Sequence, residues 1–305
     1  MPTQIAPTRA RESGQALVVV LLILSVVLTI ALSIASRSVT DITISKKEED
    51  ALRAVSAAEA GVEQLLKTGA GTTIAGSLPV GSTFNASISG LAQGTQEFAF
   101  PTGLRAGDTT SIWFVSHDTG GNLVCTGALP CFTGDRIKIC WGNPGTSGSS
   151  STAPALEFSL LHTSGSGGGS TAKIGRAAYD PNSSRRTDNN FADASGSCTI
   201  DNRSFAFSKE FTLSSIGASA RGNNTSLPGP QTGRVRFFYN TDIDHVVGIS
   251  VNFPGNGVLP QQGNKIESLG TAGEAKRKVV VYRPYADIPP IFDFGLYSGA
   301  GDLSK

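Results

Sequence analysis

The most constraining feature of this chain is an uncharged run near its N-terminus. No charged residue occurs between Glu12 and Arg37, and residues 15–36 read QALVVVLLILSVVLTIALSIAS. About 20 apolar residues, each rising 1.5 Å along a helix, cross a bilayer's ~30 Å hydrocarbon core. The run is longer than the apolar core of a secretory signal, and no small-x-small cleavage site follows it. It therefore reads as a span that is kept. Arg9 and Arg11 precede it. The tendency of cations to stay in the cytoplasm then puts the N-terminus inside and the rest of the chain outside.

Helical character continues past the run. After SKKEED (45–50) comes ALRAVSAAEAGVEQLLK (51–67), and proline is absent from Gln15 to Leu78. Leu52, Val55, Glu59, Val62 and Leu66 fall on one line at helical spacing, broadened by Ala51, Ala54, Ala58 and Leu65. Glu49–Arg53 and Glu63–Lys67 are expected i,i+4 pairs. Gly69 and Gly71 end the pattern. One helix over 15–67, roughly 80 Å long, is the expectation. Its first half is apolar all round. Its second half is amphipathic and needs a partner surface.

These residues resemble a type IV pilin-like protein, of the PilX-like minor pilin group. The match rests on Gly14 followed by QALVVVLLILSVVLTIALSIASRS and on SAAEAGVEQLLK, with its core Ala57-Ala58-Glu59-Ala60-Gly61. The resemblance covers roughly residues 9–67. It implies a leader at residues 1–14 that a prepilin peptidase removes between Gly14 and Gln15, followed by methylation of the new terminus. It also implies other pilins and minor pilins, an inner-membrane assembly platform and the lipid bilayer as partners. Two departures stand out. The mature chain would begin with Gln15 instead of an aromatic residue, and its fifth residue is Val19 where major pilins carry glutamate. A charge in an apolar filament core is costly unless paired. A subunit without that glutamate suits a minor, tip or priming position. Gly61 in mid-helix costs up to about 1 kcal/mol against alanine, which a close helix–sheet approach would offset.

Beyond Gly71 the signals are strands and turns. STFNASISGL, TSIWFVS, DRIKICW, PALEFSLLH, SFAFSKEFTL, RVRFFYN, HVVGISVNF and KRKVVVYR are short apolar or alternating runs between Gly, Pro, Asn and Ser clusters. They predict an antiparallel β-rich head over 72–297, with a C-terminal tail at 298–305. No helical period of useful length follows Lys67. The stretches 142–154, 163–171 and 180–196 read as flexible loops. The expected class is α+β: a long N-terminal helix, transmembrane then amphipathic, followed by a large β-rich head.

The four cysteines are Cys125, Cys131, Cys140 and Cys198, all beyond the apolar run. Their spacing matches no standard zinc pattern, and an even count beyond an export signal favours disulfides. Of three pairings, the tight CTGALPC loop favours Cys125–Cys131, leaving Cys140–Cys198; four reduced thiols are the alternative.

Few residues point to reaction chemistry. The histidines, His117, His162 and His245, are far apart, and no HExxH, GxSxG, Walker A or strand-linked GxGxxG sequence occurs. In TDIDH (241–245), Asp242 and Asp244 offer oxygen ligands for calcium, but a turn between two strands accounts for them better. Trp113, Trp141 and the tyrosines offer a sugar platform, with core packing the stronger reading. Glu59 is expected to face a strand end, arginine or lysine of the head. The formal charge of +1 and the absence of a basic stripe point away from nucleic acid. No catalytic residue, metal or cofactor is expected. The function expected is a structural subunit of a type IV pilus or related filament, acting in assembly, priming or tip adhesion. The alternative is a single-pass anchored surface protein with an adhesive β-domain.

Overall fold

The computed structural model describes residues 15–67, 71–79, 81–164, 172–223 and 225–287. In chain order the elements are α1 (Gln15–Leu65), β1 (Thr73–Leu78), β2 (Ser82–Gly90), β3 (Glu97–Ala99), β4 (Thr109–Trp113), β5 (Ser116–His117), β6 (Leu123–Val124), β7 (Arg136–Trp141), β8 (Ala155–Thr163), β9 (Ala172–Asp180), α2 (Ser183–Asn189), β10 (Ala192–Asp193), β11 (Cys198–Ile200), β12 (Arg203–Phe205), β13 (Phe207–Thr212), β14 (Gly229–Phe238), β15 (Val247–Ser250), β16 (Gly263–Ala272) and β17 (Ala275–Pro284). The class is α+β, a long N-terminal apolar helix followed by a large β-rich domain. The chain divides into two compact units. One comprises α1 up to Glu63 with Ile74–Ala86 and Ser268–Val279; the other is built around Ser87–Glu267, with Gln64–Thr73 and the chain from Val280.

Helix α1 has 51 residues and stops at Leu65, two short of the expected end. Glu49 and Arg53 form the expected i,i+4 pair. Glu63 and Lys67 do not, because Lys67 lies in the turn after the helix. At that turn the Leu66 carbonyl accepts from the Arg283 guanidinium at 2.8 Å. This satisfies one of the acceptors that a helix end leaves without an intrahelical partner.

The expected stripe on the second half is rotated. Leu52 is 70 % exposed and Leu66 38 %. The buried residues are Ala54, Ala57, Ala58, Gly61, Val62 and Leu65. Val62, Ala54, Ala58 and Leu65 of the expected stripe are buried, while Ala57 and Gly61 replace Leu52 and Leu66, because the helix backbone lies close against a sheet and favours small residues at the contact. That sheet runs β1-β2-β16-β17. Within β2, Ser82, Phe84, Ala86 and Ile88 are buried and alternate with exposed or half-buried neighbours. Glu59 is exposed, and no salt bridge to it occurs among the described residues.

The second unit is a sandwich of a five-stranded sheet, β10-β9-β8-β14-β4, and a four-stranded sheet, β13-β7-β15-β3. Their inward residues share one core. Ile112, Leu156, Phe158, Leu160, Val235 and Phe237 of the first meet Ile137, Ile139, Trp141, Phe211, Val247 and Ile249 of the second. Phe158 and Phe211 touch across it, ring centroids 5.4 Å apart. The pairings described within these two sheets are antiparallel except β9–β10, which is parallel.

Two expected loops are ordered. The segment 180–196 contains α2, capped by the Asn182 side chain, which accepts from the amides of Ser184 and Arg185. Asp180, with no exposed side-chain surface, pairs with Arg185 at 2.8 Å. Arg185 also donates to the carbonyls of Ser151 (2.8 Å) and Ala153 (2.7 Å), tying 180–196 to the loop 142–154. A buried carboxylate is retained only when paired, so the polar composition that reads as flexibility builds a fixed knot. Of the stretch 163–171, residues 165–171 lie outside the described residues.

Candidate functional site: the apolar helix and its seat

Among the described residues, none buries any part of the apolar window in the first half of α1. The helix is long and apolar enough to cross a membrane. From Leu17 to Ile34 every large apolar side chain is exposed, including Val19 (55 %) and Leu24 (58 %). Four hydroxyls in and just beyond the run are satisfied within the helix. Ser25 donates to the Leu22 carbonyl and Thr29 to that of Val26, both at 2.8 Å; Thr40 and Thr43 donate to those of Ser36 and Val39. Such back-bonding removes the cost of carrying a hydroxyl into hydrocarbon, where every polar group must be satisfied internally. Gln15 opens the helix, whereas Gly14 and the rest of the expected leader lie outside the described residues.

The second half of α1 rests on a seat built from glycine and alanine. A Cβ added at Gly270 of β16 would fall 1.9 Å from the Ala54 carbonyl oxygen and 2.6 Å from the Ala58 nitrogen. From the helix side, a Cβ on Gly61 would fall 2.4 Å from Ser268 Oγ and 2.8 Å from the Phe84 ring. At Gly270 the strand therefore lies directly against helix backbone, and at Gly61 the helix lies directly against side chains of β2 and β16. The AAEAG motif divides accordingly: Ala57, Ala58 and Gly61 are buried, Ala60 is half-buried and Glu59 faces out. Gly270 and Ser268 escaped sequence reading because β16, GNKIESLGTA, has too many polar residues and glycines to register as a strand. The signal available was a glycine complementary to a run of alanines, and nothing in a one-dimensional pattern pairs the two.

Among its described residues, the head shows no comparable gathering of reactive groups. Cys125–Cys131 and Cys140–Cys198 are disulfide-bonded. His117, His162 and His245 remain apart and buried, and burial lowers the basicity of each. Asp242 accepts from Thr152 at 2.9 Å and Asp244 pairs with Arg105 at 2.6 Å, within the expected turn between β14 and β15. No cluster of three or more metal-ligating side chains occurs among the described residues. Trp141 is fully buried and Trp113 nearly so, which removes both from any surface sugar platform. Comparison with protein-family models, with curated proteins and with solved structures finds no match.

Proposed function

We propose that this chain is a minor pilin-like structural subunit, held in the cytoplasmic membrane by α1 and then transferred into a type IV pilus or related filament, where it acts in assembly, priming or tip adhesion. The supporting observation is the division of one continuous helix into a bare apolar half and a half seated on a sheet. A simple anchor needs only the first half. A subunit that must carry its head with its helix also needs the second.

The mechanism is physical. In the bilayer, lipid covers the side chains from Leu17 to Ile34. On assembly the same surface exchanges lipid for neighbouring helices. The exposed small residues Ala31, Ser33, Ala35 and Ser36 let backbones approach closely. Val19 brings no carboxylate into that bundle, which suits a subunit that does not repeat along the shaft. On this reading a prepilin peptidase removes residues 1–14. The partners are other pilins, minor pilins and the inner-membrane assembly platform.

Mass spectrometry of the mature protein tests the processing step. In a strain with an active prepilin peptidase, the N-terminus is expected at Gln15 and methylated; a chain that keeps Met1 contradicts it. Recovery with sheared filaments is the expected fractionation. Exclusive recovery in membranes would favour the anchored adhesive protein instead.

A further inference from the structure

A cleft of about 730 Å³ lies where α1 passes the β16–β17 hairpin, lined by Thr43, Lys46, Lys47, Asp50, Arg53, Glu274, Lys276 and Arg277 among others. The hairpin turn abuts the helix at its base: a Cβ on Gly273 (φ +53°) would fall 2.5 Å from Asp50 Oδ2. Arg53 is neutralised by Glu49. Lys46, Lys47, Lys276 and Arg277 are exposed and form no salt bridge among the described residues. Set against Asp50 and Glu274, these four free cations leave the cleft with two positive charges in excess, on a chain whose whole formal charge is +1. We propose that this cleft binds the phosphodiester headgroup of a net-anionic phospholipid, in the leaflet from which α1 emerges.

The position of the cleft along α1 supports that ligand. Arg37 ends the uncharged run and Lys46 is nine residues farther, or about 13–14 Å along the axis. The headgroup layer adds roughly 5–8 Å beyond the hydrocarbon. Helical side chains tilt toward the helix N-terminus, here toward the membrane, and lysine stems extend along apolar surface to reach a polar layer. The lysines of α1 can therefore meet phosphates that their own Cα atoms do not reach. A zwitterionic lipid carries an ammonium that cancels its phosphate, so an excess of positive charge selects net-anionic lipid. Each cation near an anionic surface contributes on the order of fivefold in affinity.

The inference rests on reading α1 as a membrane span, and the test separates the two. The full chain is reconstituted into nanodiscs of phosphatidylcholine alone, and of phosphatidylcholine with phosphatidylglycerol. Amide exchange is then followed across residues 272–278. Slower exchange in the phosphatidylglycerol discs only, and a loss of that protection on the order of tenfold in K276Q/R277Q, are expected. Equal exchange in both discs, or an unchanged response in the variant, overturns the proposal. So does equal protection by inorganic phosphate added to phosphatidylcholine discs, which would assign the cleft to a free anion. Failure to enter discs of either composition would overturn the span itself. The two substitutions are on an exposed hairpin, and unchanged thermal unfolding shows that the variant is folded.

Discussion

The two halves of α1 share one backbone and differ in what completes them. From Leu17 to Ile34 the large apolar side chains are bare among the described residues, and on the proposed reading lipid or neighbouring helices cover them. From Ala54 to Leu65 the buried positions are mostly small, and the chain supplies its own partner in β2 and β16. The first half is specified by bulk apolarity, which tolerates exchange among Val, Leu and Ile. The second is specified by the absence of side chains at a few positions, which tolerates almost nothing. Hydrophobic transfer scales with area, whereas close packing depends on shape.

Substitutions can break that contrast, beginning with the seat. Gly270→Val should be the most damaging, destabilising the fold by at least about 3 kcal/mol, because the three nearest neighbours of the new Cβ are all helix backbone atoms. Thermal unfolding of the full chain in detergent would measure it. Leu65→Ala should cost about 3 kcal/mol, since Leu65 is fully buried. The same change at Leu24 should leave unfolding within about 0.5 kcal/mol of the original, and equal losses at the two sites would erase the distinction. Val26→Arg should act in the opposite sense. It disfavours insertion by about 2.5–3.5 kcal/mol, read as a shift from membrane to soluble fractions, while the head still melts normally.

A smaller effect separates head from helix by pH. The three histidines of the head have basicity lowered by burial. Below an ordinary histidine pKa of about 6.5 the unfolded chain therefore binds more protons than the folded one. Stability of the head should fall as pH drops from about 6.5 toward the lowered folded values, and be insensitive above that range. Membrane partition of α1, which contains no histidine, should not change over the same interval. The smallest effect is at Ser268, whose Oγ is buried without a hydrogen-bond partner against Gly61. Ser268→Ala should be neutral or stabilise by up to about 1 kcal/mol, and a loss larger than that would show that the hydroxyl is satisfied in solution.

Much of the head was legible because its strands are strongly patterned. DRIKICW and PALEFSLLH became β7 and β8, and RVRFFYN the core of β14. β9 and β16 were missed because AKIGRAAYD and GNKIESLGTA carry charge and glycine where a strand pattern wants β-branched residues. α2 was missed because seven polar residues have no apolar face. Its stability comes from the Asn182 cap and from the buried Asp180–Arg185 pair, neither of which has a local periodicity. The disulfide pairing was favoured by the tight Cys125–Cys131 loop, six residues apart, but Cys140–Cys198 closes a separation of 58 and depended on elimination.

The sequence alone determined that a single long apolar helix precedes a β-rich domain, because charge-free length and alternation are local properties. Which face of that helix is buried was decided only by tertiary structure. The sequence line favoured Leu52, Val55, Glu59, Val62 and Leu66, broadened by Ala51, Ala54, Ala58 and Leu65; the fold buried Val62, Ala54, Ala58 and Leu65, added Ala57 and Gly61, and left Leu52, Glu59 and Leu66 exposed. The reason is that burial follows the closest backbone approach. That approach is fixed jointly by Gly61 on the helix and by Gly270, more than 200 residues away on a strand.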